Sequence, residues 1–200
     1  MSVRGVGRSG LSLALILCVL PASAEPLLIT DVAAPAINCV FNRSCQITVS
    51  DSVGPIPIPG GSGTAILQSR TFFGMADAPA AGLTGYEFRV DLTKAIGSAT
   101  KICVTGVKLD TGAPSRLAYP GGIGPGHVFA ISSGAIGTVG VMSAESTEGA
   151  IRFAFARPVC AGDSSYFFGF ASAKAPRALN AQVQLDNGQT IDVPARAPAP

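Results

Sequence analysis

Through much of this chain, apolar and polar side chains alternate with a period of two, and no other feature constrains its fold as tightly. From Tyr86 to Leu92, the apolar Tyr86, Phe88, Val90 and Leu92 alternate with Glu87, Arg89 and Asp91, which predicts a half-buried strand with its charges facing water. Ile151, Phe153 and Phe155 alternate in the same way with Arg152, Ala154 and Ala156, and Ala181, Val183 and Leu185 with Asn180, Gln182 and Gln184. Residues 101–109 and 165–171 are apolar on both parities and predict central strands covered on both faces. Further strands are expected over 27–33, 36–41, 46–50, 64–73, 127–131, 136–142 and 190–193.

Turn residues punctuate these runs: Asp77-Ala78-Pro79, Asp110-Thr111-Gly112, Tyr119-Pro120-Gly121-Gly122, Ala161-Gly162-Asp163 and Asp186-Asn187-Gly188. Many short strands without a sustained 3.6-residue period predict an antiparallel β-sandwich, of the jelly-roll or immunoglobulin-like kind. The Gly- and Pro-rich stretch 54–63 reads as a long surface crossover within one domain spanning 25–193, and the Pro/Ala-rich 194–200 as a disordered tail. With 48% hydrophobic and 13% charged residues, the chain is no disordered polyampholyte.

Residues 1–24 have the layout of a secretory signal peptide. Arg4 and Arg8 form the positive start, 11–20 is an apolar run broken by Pro21, and Ala22-Ser23-Ala24 offers a small-x-small cleavage site before Glu25. The run is too short for a membrane anchor, and Leu17 before Cys18 does not fit a lipid-modification site. Arg4 and Arg8 belong to the 14 Lys and Arg, and none of the 12 Asp and Glu lies in the leader, so cleavage leaves a neutral chain. Such a chain has no long-range attraction for nucleic acid, and no later stretch has membrane-spanning length. Export to the periplasm or beyond, from a bacterial cell given the Ala-rich, Lys-poor composition, is the expectation.

Beyond the leader remain Cys39, Cys45, Cys103 and Cys160, an even number in an oxidising compartment. The polar-tipped 40–44 stretch can turn the chain between two strands, which pairs Cys39 with Cys45 and leaves Cys103 for Cys160. Zinc frameworks need Cys or His in close pairs, and the one histidine, His127, lies in a Gly-rich loop, so neither a metal nor another cofactor is expected. A Gly-x-Ser-x-Gly nucleophile elbow is also missing after the leader.

Leu109-Asp110-Thr111-Gly112-Ala113 resembles the active-site signature of aspartic proteases, Gly121-Gly122-Ile123-Gly124 is similar to a retroviral-type flap, and Phe167-Phe168-Gly169 to that family's later apolar-apolar-Gly element. The resemblance implies a homodimer in which two copies of Asp110, supported by Thr111 and Gly112, share one proton. Turn chemistry offers the other reading, with Asp110 bonding its own backbone and Gly112 at positive φ. A second resemblance runs from 165–170 through Ile191-Asp192-Val193, which looks like the closing hairpin of bacterial exported sandwich proteins of the exosortase-sorted (PEP-CTERM) type, here without their Pro-Glu-Pro sorting tail. The combined expectation is a non-catalytic binding or surface-structural module of the cell envelope. Its partner would be a protein or a carbohydrate, with Tyr119, expected to be exposed, and His127 as binding candidates.

Overall fold

The computed structural model describes residues 24–97, 102–134 and 136–199; the expected leader up to Ser23, together with Lys101 and Pro200, lies outside the described residues. In chain order the elements are β1 (Glu25–Pro26), β2 (Ile29–Ala33), α1 (Ala36–Phe41), β3 (Ser50–Pro55), β4 (Ser62–Phe73), β5 (Thr84–Ile96), β6 (Val104–Asp110) and β7 (Leu117–Ala118). They continue with β8 (Pro125–Gly126), β9 (Val128–Ser133), β10 (Val141–Thr147), β11 (Ala150–Val159), β12 (Phe168–Ser172), β13 (Pro176–Leu185) and β14 (Thr190–Pro198).

Two open six-stranded sheets form a sandwich: β1-β10-β11-β6-β13-β14 and β2-β9-β12-β5-β4-β3. Their pairings are antiparallel except β2 with β9, where Ile29 lies opposite Val128 in a parallel register. The two strands nearest the start of the described chain are thus split between the sheets, β1 on β10 and β2 on β9. The stretches apolar on both parities do become interior strands, β6 between β11 and β13, and β12 between β9 and β5. Every residue of β12 is buried.

Between the sheets, the alternating apolar residues build the main core, which includes Leu67, Phe88, Val107, Phe153, Phe168, Phe170 and Val183. Phe168 is its aromatic hub, with ring centroids 4.7 Å from Phe153 and 5.7 Å from Phe155. Each such buried ring contributes about 2 to 3 kcal/mol of transfer free energy. Both expected disulfides are present, Cys39–Cys45 and Cys103–Cys160. The second joins the residues flanking the Val159–Val104 pair, where the β11–β6 ladder resumes after a bulge.

Several expectations give way. Residues 36–41 form the helix α1, not a strand: Ile37, Val40 and Phe41 fall at helical spacing and bury one face. The Cys39–Cys45 bridge therefore ties this helix to the turn after it instead of joining two strands. In 46–50 and 136–142 the ladders begin only at Ser50 and Val141. Residues 54–63 are no crossover, because Gly54 and Pro55 end β3 and Ser62 and Gly63 begin β4, making an antiparallel hairpin. The expected tail is ordered as well: Pro194 to Pro198 continue β14 against β13, with Ala195 and Ala197 buried. Proline fits there because β14 is an edge strand, with one side of its backbone free of ladder partners.

A second apolar cluster covers the outer face of the β2-to-β3 sheet, formed by Ile37, Val40 and Phe41 of α1 with Phe72, Phe129, Ile131 and Tyr119. Glu87 and Arg89, expected to face water, are buried beneath this extra layer.

Candidate functional site

Strand register sets a transverse row of side chains on that outer face. Asp51 on β3 lies opposite Arg70 on β4, Arg70 opposite Glu87 on β5, Glu87 opposite Gly169 on β12, and Gly169 opposite Phe129 on β9. Arg70 Nη1 donates to Glu87 Oε2 at 2.6 Å, and Arg70 Nε stands 3.9 Å from Asp51 Oδ2. The Glu87 side chain is only 2% exposed, against 27% for Arg70. Burial pushes the Glu87 carboxyl above its ordinary pKa, and the neighbouring Arg70 offsets only part of that.

Arg89, one step along β5, donates to Asp91 at 2.5 Å. The Arg70 and Arg89 guanidinium carbons lie 5.1 Å and 5.6 Å from the centroid of the Phe167 ring, both within cation–π range of this one ring. The Nε atoms of both arginines are buried without a hydrogen-bond partner among the described residues.

Above this floor opens a groove of about 500 Å³. Arg70, Glu87, Phe167 and Ile131 line its base, while Ile37, Cys45, Ile47, Val49 and Ile136 line its walls. Asn38 and Gln46 line it too, so its chemistry is that of a mixed polar and apolar slot with one guanidinium at the bottom whose charge is already matched by two carboxylates. Such a site favours apolar groups that carry a neutral hydrogen-bond acceptor over free anions.

The residues singled out in the sequence lie elsewhere. Tyr119 is buried, its ring 5.3 Å from that of Phe129, and presents no exposed platform. Burial raises its phenol well above the ordinary value. His127 is half-buried at the start of β9, where its Nδ1 accepts the Leu28 N–H at 3.1 Å. With Nδ1 taken up by a backbone donor, His127 does not offer that atom to an orienting carboxylate, as a Ser-His-Asp triad requires.

Asp110 ends β6 with its side chain 67% exposed, 3.9 Å from Lys108 Nζ. Gly112 has φ +74, and the Thr111 and Gly112 N–H groups both donate to the Gly149 carbonyl. Gly121 and Gly122 pack against Thr30 and Asp31 of β2, away from Asp110's neighbours. Phe167 and Gly169 do enter the site, one as an aromatic floor and the other as a space that the Phe129 ring fills.

Sequence reasoning missed Arg70, Glu87 and Arg89. One signal was present: Phe167-Phe168-Gly169 is apolar on both parities, so the sheet is covered on both sides there, and the charged parity of the neighbouring β5 shares that cover. Among the described residues no group of three or more His, Cys, Asp or Glu is placed to hold a metal ion, and no helix is long and apolar enough to cross a membrane. Comparison with protein-family models, curated proteins and solved structures finds no match for the chain.

Proposed function

We propose that the protein is an exported bacterial β-sandwich that works without catalysis, binding a protein partner of the cell envelope through the groove on its outer sheet face. The slot over Arg70, Glu87 and Phe167, walled by apolar side chains together with Asn38 and Gln46, carries this reading. A protein segment supplies both apolar side chains and backbone carbonyls for such a slot. A carbohydrate would favour open aromatic platforms, and Tyr86 and Tyr119 are buried. The disulfides suit an oxidising compartment, and the likeness of the closing hairpin to exosortase-sorted proteins agrees with export.

The test is capture from an envelope extract by the wild-type protein and by Ile136→Asp, a change at a wall residue 66% exposed and therefore tolerated by the fold. Capture of a defined partner that Ile136→Asp abolishes is expected, with Glu25 as the first residue of the exported chain by mass spectrometry. Capture indifferent to Ile136→Asp would remove the groove from the binding. Acid-dependent peptide cleavage lost in Asp110→Asn would replace the binding reading with a protease.

A further inference from the structure

The two disulfides differ in the burial of one cysteine and in the backbone conformation of another. Cys103 is 4% exposed and directly precedes β6, its N–H donating to Asp186 Oδ1 at 3.1 Å and its carbonyl accepting the Asp186 N–H at 3.0 Å. Its partner Cys160 is half-buried, so this bridge is shielded on the Cys103 side alone. Cys39 and Cys45 are both half-buried in the outer layer, only 6 residues apart. Cys45 moreover has φ +58, a left-handed conformation that side-chain-bearing residues seldom adopt. The turn bond from its N–H to the Asn42 carbonyl, together with the bridge, holds it there.

From Cys45 the chain runs directly into the groove wall at Gln46, Ile47 and Val49, and ladder pairing begins only at Ser50. On the other side of Cys45, the Asn42 side chain donates to the Gln46 carbonyl at 2.6 Å. The wall thus hangs between this small bridged turn and the first residue of β3.

We propose that Cys39–Cys45 is a site of thiol–disulfide exchange with an external dithiol, and that exchange loosens the 46–49 wall of the groove. This rests on the groove described above, though not on the identity of its occupant. In the first step a thiolate of the dithiol attacks one sulfur of the bridge; the Sγ–Sγ bond breaks, and the other cysteine leaves as a thiolate that takes a proton from water. The second thiol of the reductant, its proton lost to water, then attacks its own sulfur in the mixed disulfide; the mixed S–S bond breaks, the remaining cysteine leaves as a thiolate that is protonated by water, and the dithiol is left oxidised to its own disulfide. Two electrons pass from the dithiol to the bridge.

The experiment titrates the oxidised full chain with dithiothreitol under native conditions, traps free thiols with iodoacetamide and maps them by mass spectrometry. Amide hydrogen exchange is followed on the same samples. Cys39 and Cys45 are expected to be alkylated at about tenfold lower dithiothreitol than Cys103 and Cys160, with exchange rising at 46–49 while β6 and β11 stay protected. Simultaneous opening of both bridges, earlier opening of Cys103–Cys160, or unchanged exchange at 46–49 after selective reduction would each overturn the proposal. None of these readouts needs a partner, so failure of the capture experiment and failure of the exchange site are separately visible.

Discussion

Glu87 shows how far a residue's role depends on what covers it. Its local pattern on β5 is that of a solvent-facing charge, yet α1 and the chain after it close over the outer face and leave it 2% exposed. The covering residues lie about fifty positions earlier in sequence, so nothing in 86–92 alone reveals them. Because its folded pKa is raised, the folded chain keeps a proton that the unfolded chain has already released. Stability from this source is therefore present below the ordinary carboxylate pKa, roughly 4.3, and is lost as pH rises through the raised value. Asp163 acts oppositely: its bond with Arg157 holds it down to about 2, so its contribution is lost only as pH falls toward that value. Urea midpoints measured between about pH 4 and 7 should show wild type losing stability relative to Glu87→Gln as pH rises. Parallel pH profiles would mean that Arg70 fully compensates the burial.

Elements were legible where their own side chains set the environment. β5, β6, β11, β12 and β13 follow from alternation or from apolar runs, because the core that buries them lies directly on their apolar parity. α1 was misread because Ala36-Ile37-Asn38-Cys39-Val40-Phe41 is β-rich in composition; its Ile37, Val40 and Phe41 spacing, at i, i+3 and i+4, was the better guide. The Pro/Ala composition of 194–198 hid an edge strand, since proline is excluded from central strands and tolerated at margins. The groove depends on register across separate strands, which no single stretch encodes. Gly169 tests that register. A Cβ there would collide with the Tyr86 carbonyl oxygen and crowd the Phe129 ring, on a strand paired on both sides. Gly169→Ala is expected to cost about 3 kcal/mol or more by chemical denaturation. At Gly188 the same change meets open space and only the strain of φ +84, and should cost about 1 kcal/mol.

At the scale of the whole molecule, the last strand closes the sandwich. β14 packs over β3 and β4, so closely at Gly54 that a side chain there would strike the Pro194 carbonyl. Removal of 194–200 takes away the buried Ala195 and Ala197 and five of the nine register pairs of the β13–β14 ladder. The truncated chain is expected to lose about 3 to 5 kcal/mol, read as a lowered denaturation midpoint, where a frayed tail would leave the midpoint unmoved. The opening strands make the complementary demand. β2 finds its neighbour 99 residues further on, as Leu28 does in its bond to His127, and in a parallel register that no hairpin can template. Closing a loop on that scale costs chain entropy before any contact rewards it, and topologies of this kind condense in milliseconds to seconds rather than microseconds. Under the proposed export, β2 would leave a translocation pore with its partner β9 still to follow. Delay of this sort keeps a polypeptide threadable until most of it has passed, a kinetic service that the proposed export would require.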